Sequence, residues 1–207
     1  MSKLLDTQYK LLYEKERRFA KNVVYLIRAR KKRPWWHICI PFKFLIEYRA
    51  LKKDMRNFSA RHVDLKQIAL SAAYRSAVKT DRDTRQEEMH AQLRDVCLHN
   101  QKITSKEAYE LLRQWIDLLF QHYYRLFQVP ESDYHKLIRQ AYTSSGEYRR
   151  FLDQLNSLEQ RISHAVHGPP GAGATDSSIR LEQKAVQDLR AREHNDIFPV
   201  WPTQKTA

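Results

Sequence analysis

The chain has few of the residues that build the commonest active sites. It holds four glycines in 207 residues, and three of them, Gly168, Gly171 and Gly173, sit together. That leaves little room for a Gly-rich phosphate loop. There is no Walker loop, no dinucleotide-binding fingerprint, no His-Glu-x-x-His zinc motif and no Gly-x-Ser-x-Gly elbow. The two cysteines, Cys39 and Cys97, lie far apart and fit no C-x-x-C pattern. A disulfide framework is therefore not expected, and a reducing compartment is indicated. The N-terminal stretch MSKLLDTQYKLLYEKERR lacks the apolar core of a signal peptide, so a cytoplasmic location is expected. No segment alternates in the manner of a strand. These absences remove the common enzyme classes. They turn the expectation toward a non-catalytic protein that needs no cofactor and no metal.

What is present is unevenly distributed charge. The net charge is +13. Residues 1–61 hold 17 Lys/Arg against 5 Asp/Glu, a net +12, and residues 62–207 hold 20 against 19, a net +1. A near-neutral body thus carries a strongly basic N-terminal part, which points to a polyanionic partner, either anionic lipid or nucleic acid.

Residues 4–33 read as one amphipathic helix. Leu5, Leu12, Phe19, Val23 and Leu26 share a stripe, with Arg17, Lys21 and Arg28 opposite, and Pro34 ends the helix. An oily run follows over residues 35–48. It is too short to span a bilayer, which takes about twenty residues, and Pro41 and Lys43 interrupt it. Its flanks carry the chemistry of a membrane edge: Trp35 and Trp36 at one end, Tyr48 at the other, and cations on both sides. Cytoplasmic placement of both flanks implies a segment that lies in the interface or dips in and returns. The expected inserted groups are Trp35, Trp36, Ile38, Ile40, Phe42, Phe44, Leu45 and Ile46. The expected headgroup or polyanion contacts are Lys31, Lys32, Arg33, Lys52, Lys53 and Arg56. Left in water, the inserted set would form a large exposed apolar patch. Burial in lipid or in the bundle's own core removes that problem; single-strand binders instead stack bases on such aromatics, but usually over a sheet, and no sheet is evident.

Beyond residue 57 the pattern is helical throughout. Val63 to Val78 is rich in alanine and reads as a central, buried helix. Three starts fit the capping box: Thr84 with Glu87, Thr104 with Glu107, and Ser144 with Glu147. Ser132 is a further cap, for a short helix holding Tyr134, Leu137 and Ile138. Apolar stripes run through Met89, Leu93, Val96 and Cys97, then Ala108, Leu111, Trp115, Leu118, Leu119, His122 and Leu126, then Tyr148, Phe151, Leu152, Leu155, Leu158 and Ile162. The segment GPPGAGATDSS, residues 168–178, is a linker by composition. Ile179 to Arg192 forms a charged helix, and the apolar tail at residues 197–202 is expected to dock on its own body or on a partner.

The histidines offer little chemistry. Glu87-Glu-Met-His90 places a carboxylate and an imidazole on one helix face, but di-iron bundles need that spacing twice. His164 and His167 suit the negative end of a helix dipole. His122 falls on an apolar stripe and reads as a core histidine bonded to a tyrosine hydroxyl.

The resulting expectation is an all-α protein: a bundle of four to five helices, preceded by a long basic amphipathic helix and a short Pro-interrupted apolar segment. Its parts are residues 1–56 (helix and interfacial segment), 57–167 (bundle), 168–178 (linker) and 179–207 (helix and tail). The function expected is a cytoplasmic adapter or scaffold held peripherally or monotopically on the inner membrane face through residues 30–56. Its partners would be the anionic membrane surface and an unidentified protein. A nucleic-acid-binding helical protein using the same cations is the first alternative. An enzyme with its site inside the bundle, near His122 or His90, is the second.

Overall fold

The computed structural model describes residues 2–30, 63–79, 81–99, 105–167 and 174–199. These residues form an all-helical bundle of seven helices and contain no strand. The long N-terminal helix α1 spans Ser2–Arg30. The body contributes α2 (residues 63–79), α3 (Arg82–His99), α4 (Lys106–Phe127), α5 (Tyr134–Ala141) and α6 (Ser145–His167). The C-terminal helix α7 runs Ala174–Ile197.

The apolar stripes read from the sequence form the core. Helix α4 is central. Its Leu112, Trp115, Ile116, Leu119, Phe120, Tyr123, Leu126 and Phe127 meet Leu5 and Leu12 of α1, Leu70 and Ala73 of α2, Met89 and Leu93 of α3, and Leu152 and Leu155 of α6. A second cluster joins Val23 of α1 to Ala185 and Val186 of α7. Full burial of side chains of this size is worth about 1.5–3 kcal/mol each relative to exposure, and that is what gathers helices too short or too charged to persist alone. Val96, placed on the α3 stripe by its spacing, is instead exposed; Cys97 takes the buried position beside it. Ile197 is fully buried, and the Phe198 ring packs against those of Tyr148 and His194, so the start of the tail docks on the body.

The caps differ from the expected register by small steps. Helix α3 begins at Arg82, and Asp81 Oδ1 accepts the Thr84 N–H at 3.4 Å, so Thr84 lies inside the helix rather than capping it. Ser105, not Thr104, caps α4, accepting the Ala108 N–H at 3.0 Å. Asp133, not Ser132, caps α5 through the Lys136 N–H at 3.0 Å. Ser144 does cap α6, accepting the Glu147 N–H at 3.1 Å. The Glu147 carboxylate reaches back past it to the Thr143 N–H at 2.8 Å and pairs with Arg125 at 2.5 Å. Each cap satisfies one of the backbone donors that a helix start leaves open.

Helices α1 and α2 run antiparallel. Asp6 accepts from the Tyr74 hydroxyl, Tyr9 meets Ser71 at 3.1 Å, and Glu16 meets Lys66 at 2.7 Å. The chain therefore leaves α1 and re-enters α2 at one end of the bundle. At the opposite end, Gln8 is fully buried and its amide nitrogen donates to the carbonyls of Val129 and Glu131 at 2.6 and 2.7 Å. That contact holds the turn that follows α4.

Candidate functional site

Several charged residues fall in phase with the apolar stripes and are carried inward by them. Glu16 follows Leu12 by four and precedes Phe19 by three, so α1 delivers a carboxylate to the interior. Lys66 follows Val63 by three on α2, and Arg190 follows Val186 by four on α7. Lys66 Nζ donates to Glu16 Oε2 at 2.7 Å, and the Tyr123 hydroxyl donates to Oε1 at 2.7 Å. Arg190 forks onto Glu159 of α6 at 2.7 and 2.8 Å and also donates to Asn156. The Trp115 indole N–H adds a bond to Glu159 at 3.2 Å. Both cations lie against the Phe19 ring, Lys66 at 5.2 Å and Arg190 at 5.8 Å from its centroid. Buried ions require such compensation, since desolvation costs several kcal/mol per charge.

His122 sits beside this network. Its Nδ1 meets the Tyr142 hydroxyl at 2.6 Å, and its ring stacks on Phe151 at 4.3 Å. Burial pushes its pKa down to about 3; Glu16 opposes the shift, while Lys66 and Arg125 add to it. The imidazole is therefore neutral at physiological pH. Burial also raises the pKa values of Tyr123, Tyr134, Tyr142 and Tyr148, so these phenols stay protonated. The Glu193 carboxylate nearby raises Tyr134 and Tyr148 further.

These groups border an open cleft of about 280 Å³ between α1, α4, α6 and α7. Its polar side includes Lys15, Arg18 and Arg192, and its apolar side Phe151, Leu152 and Leu155. Convergent titratable groups in one cleft are the arrangement expected of an interior site.

Two other histidines join helices. His90 does not act with Glu87, which is exposed; its Nε2 meets Asp117 Oδ1 of α4 at 2.7 Å, and Gln86 donates to the same oxygen at 2.9 Å. His194 of α7 meets the Ser145 hydroxyl at 3.0 Å and the Ser145 carbonyl at 3.2 Å through Nε2. A contact to a carbonyl requires a hydrogen on Nε2. That nitrogen then cannot take the serine proton, so the pair latches α7 to α6 rather than forming a nucleophile–base dyad. Among the described residues no group of three or more His, Cys, Asp or Glu converges as a metal site would.

The fourteen contact residues expected from the sequence, Trp35 to Ile46 on the apolar side and Lys31 to Arg33 with Lys52, Lys53 and Arg56 on the basic side, lie outside the described residues. His122 lies where its stripe placed it, with the expected tyrosine bond, although the partner is Tyr142 and not a sequence neighbour. The Glu16–Lys66 and Arg190–Glu159 pairs were missed by sequence reasoning. The signal that would find all four residues is a charge occupying a stripe position; Glu159 follows Leu152 by seven and Leu155 by four. No protein-family model, curated protein or solved structure matches this chain.

Proposed function

We propose that this protein is a non-catalytic helical adapter or scaffold, attached peripherally or monotopically to the inner face of a membrane through residues 30–56. The observation that carries the reading is the set of eight apolar side chains between Trp35 and Ile46, bracketed by basic clusters. Apolar insertion and a polybasic patch together give stable anchoring where either alone does not, and each cation near anionic headgroups adds about 1 kcal/mol.

Two structural features support it. The α1 stripe is already occupied, since Leu12, Ala20 and Val23 are buried in the bundle, so it is the following segment that would remain to meet lipid. The antiparallel pairing of α1 and α2 also returns the chain to the end of the bundle from which it left, as a segment that enters and leaves on one side requires. No helix among the described residues is long and apolar enough to cross a membrane.

The test is fractionation of the expressed full chain, with successive high-salt and detergent washes of the membrane pellet. Retention through salt and release by detergent is expected. Trp35→Ala with Trp36→Ala should move the folded protein to the soluble fraction. Recovery of the unaltered chain in the soluble fraction at low salt would overturn the reading. Release by salt or nuclease alone would replace it with nucleic-acid binding, whose affinity falls steeply with salt.

A further inference from the structure

The cleft between α1, α4, α6 and α7 has a use that membrane attachment does not supply. Its volume of about 280 Å³ falls just below the roughly 300–1,000 Å³ usual for small-molecule pockets, which suits a small ligand. Two kinds of surface meet in it. Phe151, Leu152 and Leu155 of α6 and Leu189 of α7 give an apolar wall. Lys15 and Arg18 of α1 and Arg192 of α7 also line the cleft, and they outnumber the two α7 carboxylates there that have no ion pair among the described residues, Glu193 and Asp196.

The charges divide into engaged and available. Lys66 and Arg190 are committed to Glu16 and Glu159. The Glu193 carboxylate lies near the Tyr134 phenol and raises its pKa. Lys15 lies over the Tyr134 ring, 4.1 Å from its centroid. Arg18 and Arg192 are exposed and have no ion pair or hydrogen bond among the described residues. Guanidinium groups match the planar fork of a carboxylate. The buried His122 ring is also part of the lining, and its Nε2 has no hydrogen-bond partner among the described residues. If the Tyr142 phenol donates to Nδ1, the ring proton rests on Nε2 and adds a neutral donor.

We propose that this cleft binds a small amphipathic carboxylate, its anionic end held by Arg18 and Arg192 and its apolar body lying on Phe151, Leu152 and Leu155. The proposal is independent of membrane attachment, because none of these residues belongs to the 30–56 segment.

The test uses the full chain with octanoate as probe, titrated by calorimetry below its micellar concentration, against octanol and acetate. Octanoate should bind saturably at one site. Octanol lacks the charge and acetate lacks the apolar body, and each should bind at least about tenfold more weakly, a difference of about 1.4 kcal/mol. Arg18→Gln with Arg192→Gln alters two exposed side chains, so the helical content and melting temperature should hold while octanoate affinity falls by about tenfold or more. Absence of saturable octanoate binding overturns the proposal. So does unchanged affinity in the double variant, or binding of octanol or acetate as tight as that of octanoate.

Discussion

His122 is a titratable group kept uncharged by its surroundings, and that makes part of the protein's stability pH-dependent. In the unfolded chain it titrates near 6.5; in the bundle burial lowers it to about 3. Between those values the unfolded state binds a proton that the folded state refuses. Its contribution is complete above pH 6.5 and is lost progressively as pH falls toward 3, at up to about 1.4 kcal/mol per pH unit. Replacing His122 alone would orphan the Tyr142 hydroxyl, so the informative variant is His122→Phe with Tyr142→Phe. Urea unfolding at pH 7, 6, 5 and 4 should show the unaltered protein losing stability faster than the double variant across this window. Parallel slopes would mean that the imidazole charges in place. His122 also shows what a sequence can reveal of such a site. A histidine between Leu119 and Leu126 on one stripe is visible as interior, but the tyrosine that meets it lies on the far side of a turn and of α5. The same holds for Glu16. Its position in phase with Leu12 and Phe19 marks it as inward-facing, yet Lys66 and Tyr123 are 50 and 107 residues away. Arg190 and Glu159 are likewise in phase with Val186 and Leu155, yet they are 31 residues apart, and only packing shows that they pair.

At the scale of the helix, periodicity was legible and the ends were less so. A stripe averages over several turns, so one ambiguous residue does not move it. A cap depends on a single side chain, and this sequence offers adjacent candidates at most starts: Asp81 ahead of Thr84, Thr104 beside Ser105, Ser132 beside Asp133. The capping box favours a hydroxyl three residues before a carboxylate, and that rule selected Thr84 and Thr104. The chosen caps are the ones whose oxygen reaches the N–H three residues on: Asp81 to Thr84, Ser105 to Ala108, Asp133 to Lys136. The register has a direct test. Ser105→Ala should cost about 1 kcal/mol, as loss of a helix cap does, while Thr84→Ala and Ser132→Ala should stay within about 0.5 kcal/mol, as surface changes do. Thermal melts of the three variants suffice. A loss from Thr84→Ala as large as that from Ser105→Ala would place the start of α3 three residues later, at Arg85.

At the scale of the molecule, the basic N-terminal helix and the charged C-terminal helix close against one another. Val23 of α1 packs on Ala185 and Val186 of α7, and further along α7 Arg190 reaches Glu159 while Ile197 enters the core. The composition of residues 168–178 suggests a tether, yet α7 begins inside that segment at Ala174, covers α1 and α6 and forms one wall of the cleft. Removing residues 168–207 should therefore weaken the whole bundle rather than trim an appendage. Val186 and Ile197 are each worth about 1.5–3 kcal/mol of burial, so even these two sum to at least about 3 kcal/mol. Glu159 loses its guanidinium as well, and an incompletely compensated carboxylate adds to the cost. For a chain of this length 1 kcal/mol shifts the melting temperature by about 2–4 °C, so a drop of about 10 °C or more is expected in calorimetry of the truncated protein. Arg190→Ala in the full chain separates the two causes, because it removes the ion pair and leaves Val186 and Ile197 in place; it should account for part of the drop and not all of it. A truncated chain that melts where the intact one does would show that α7 contributes no stability to the bundle, and the cleft would then lack a fixed wall.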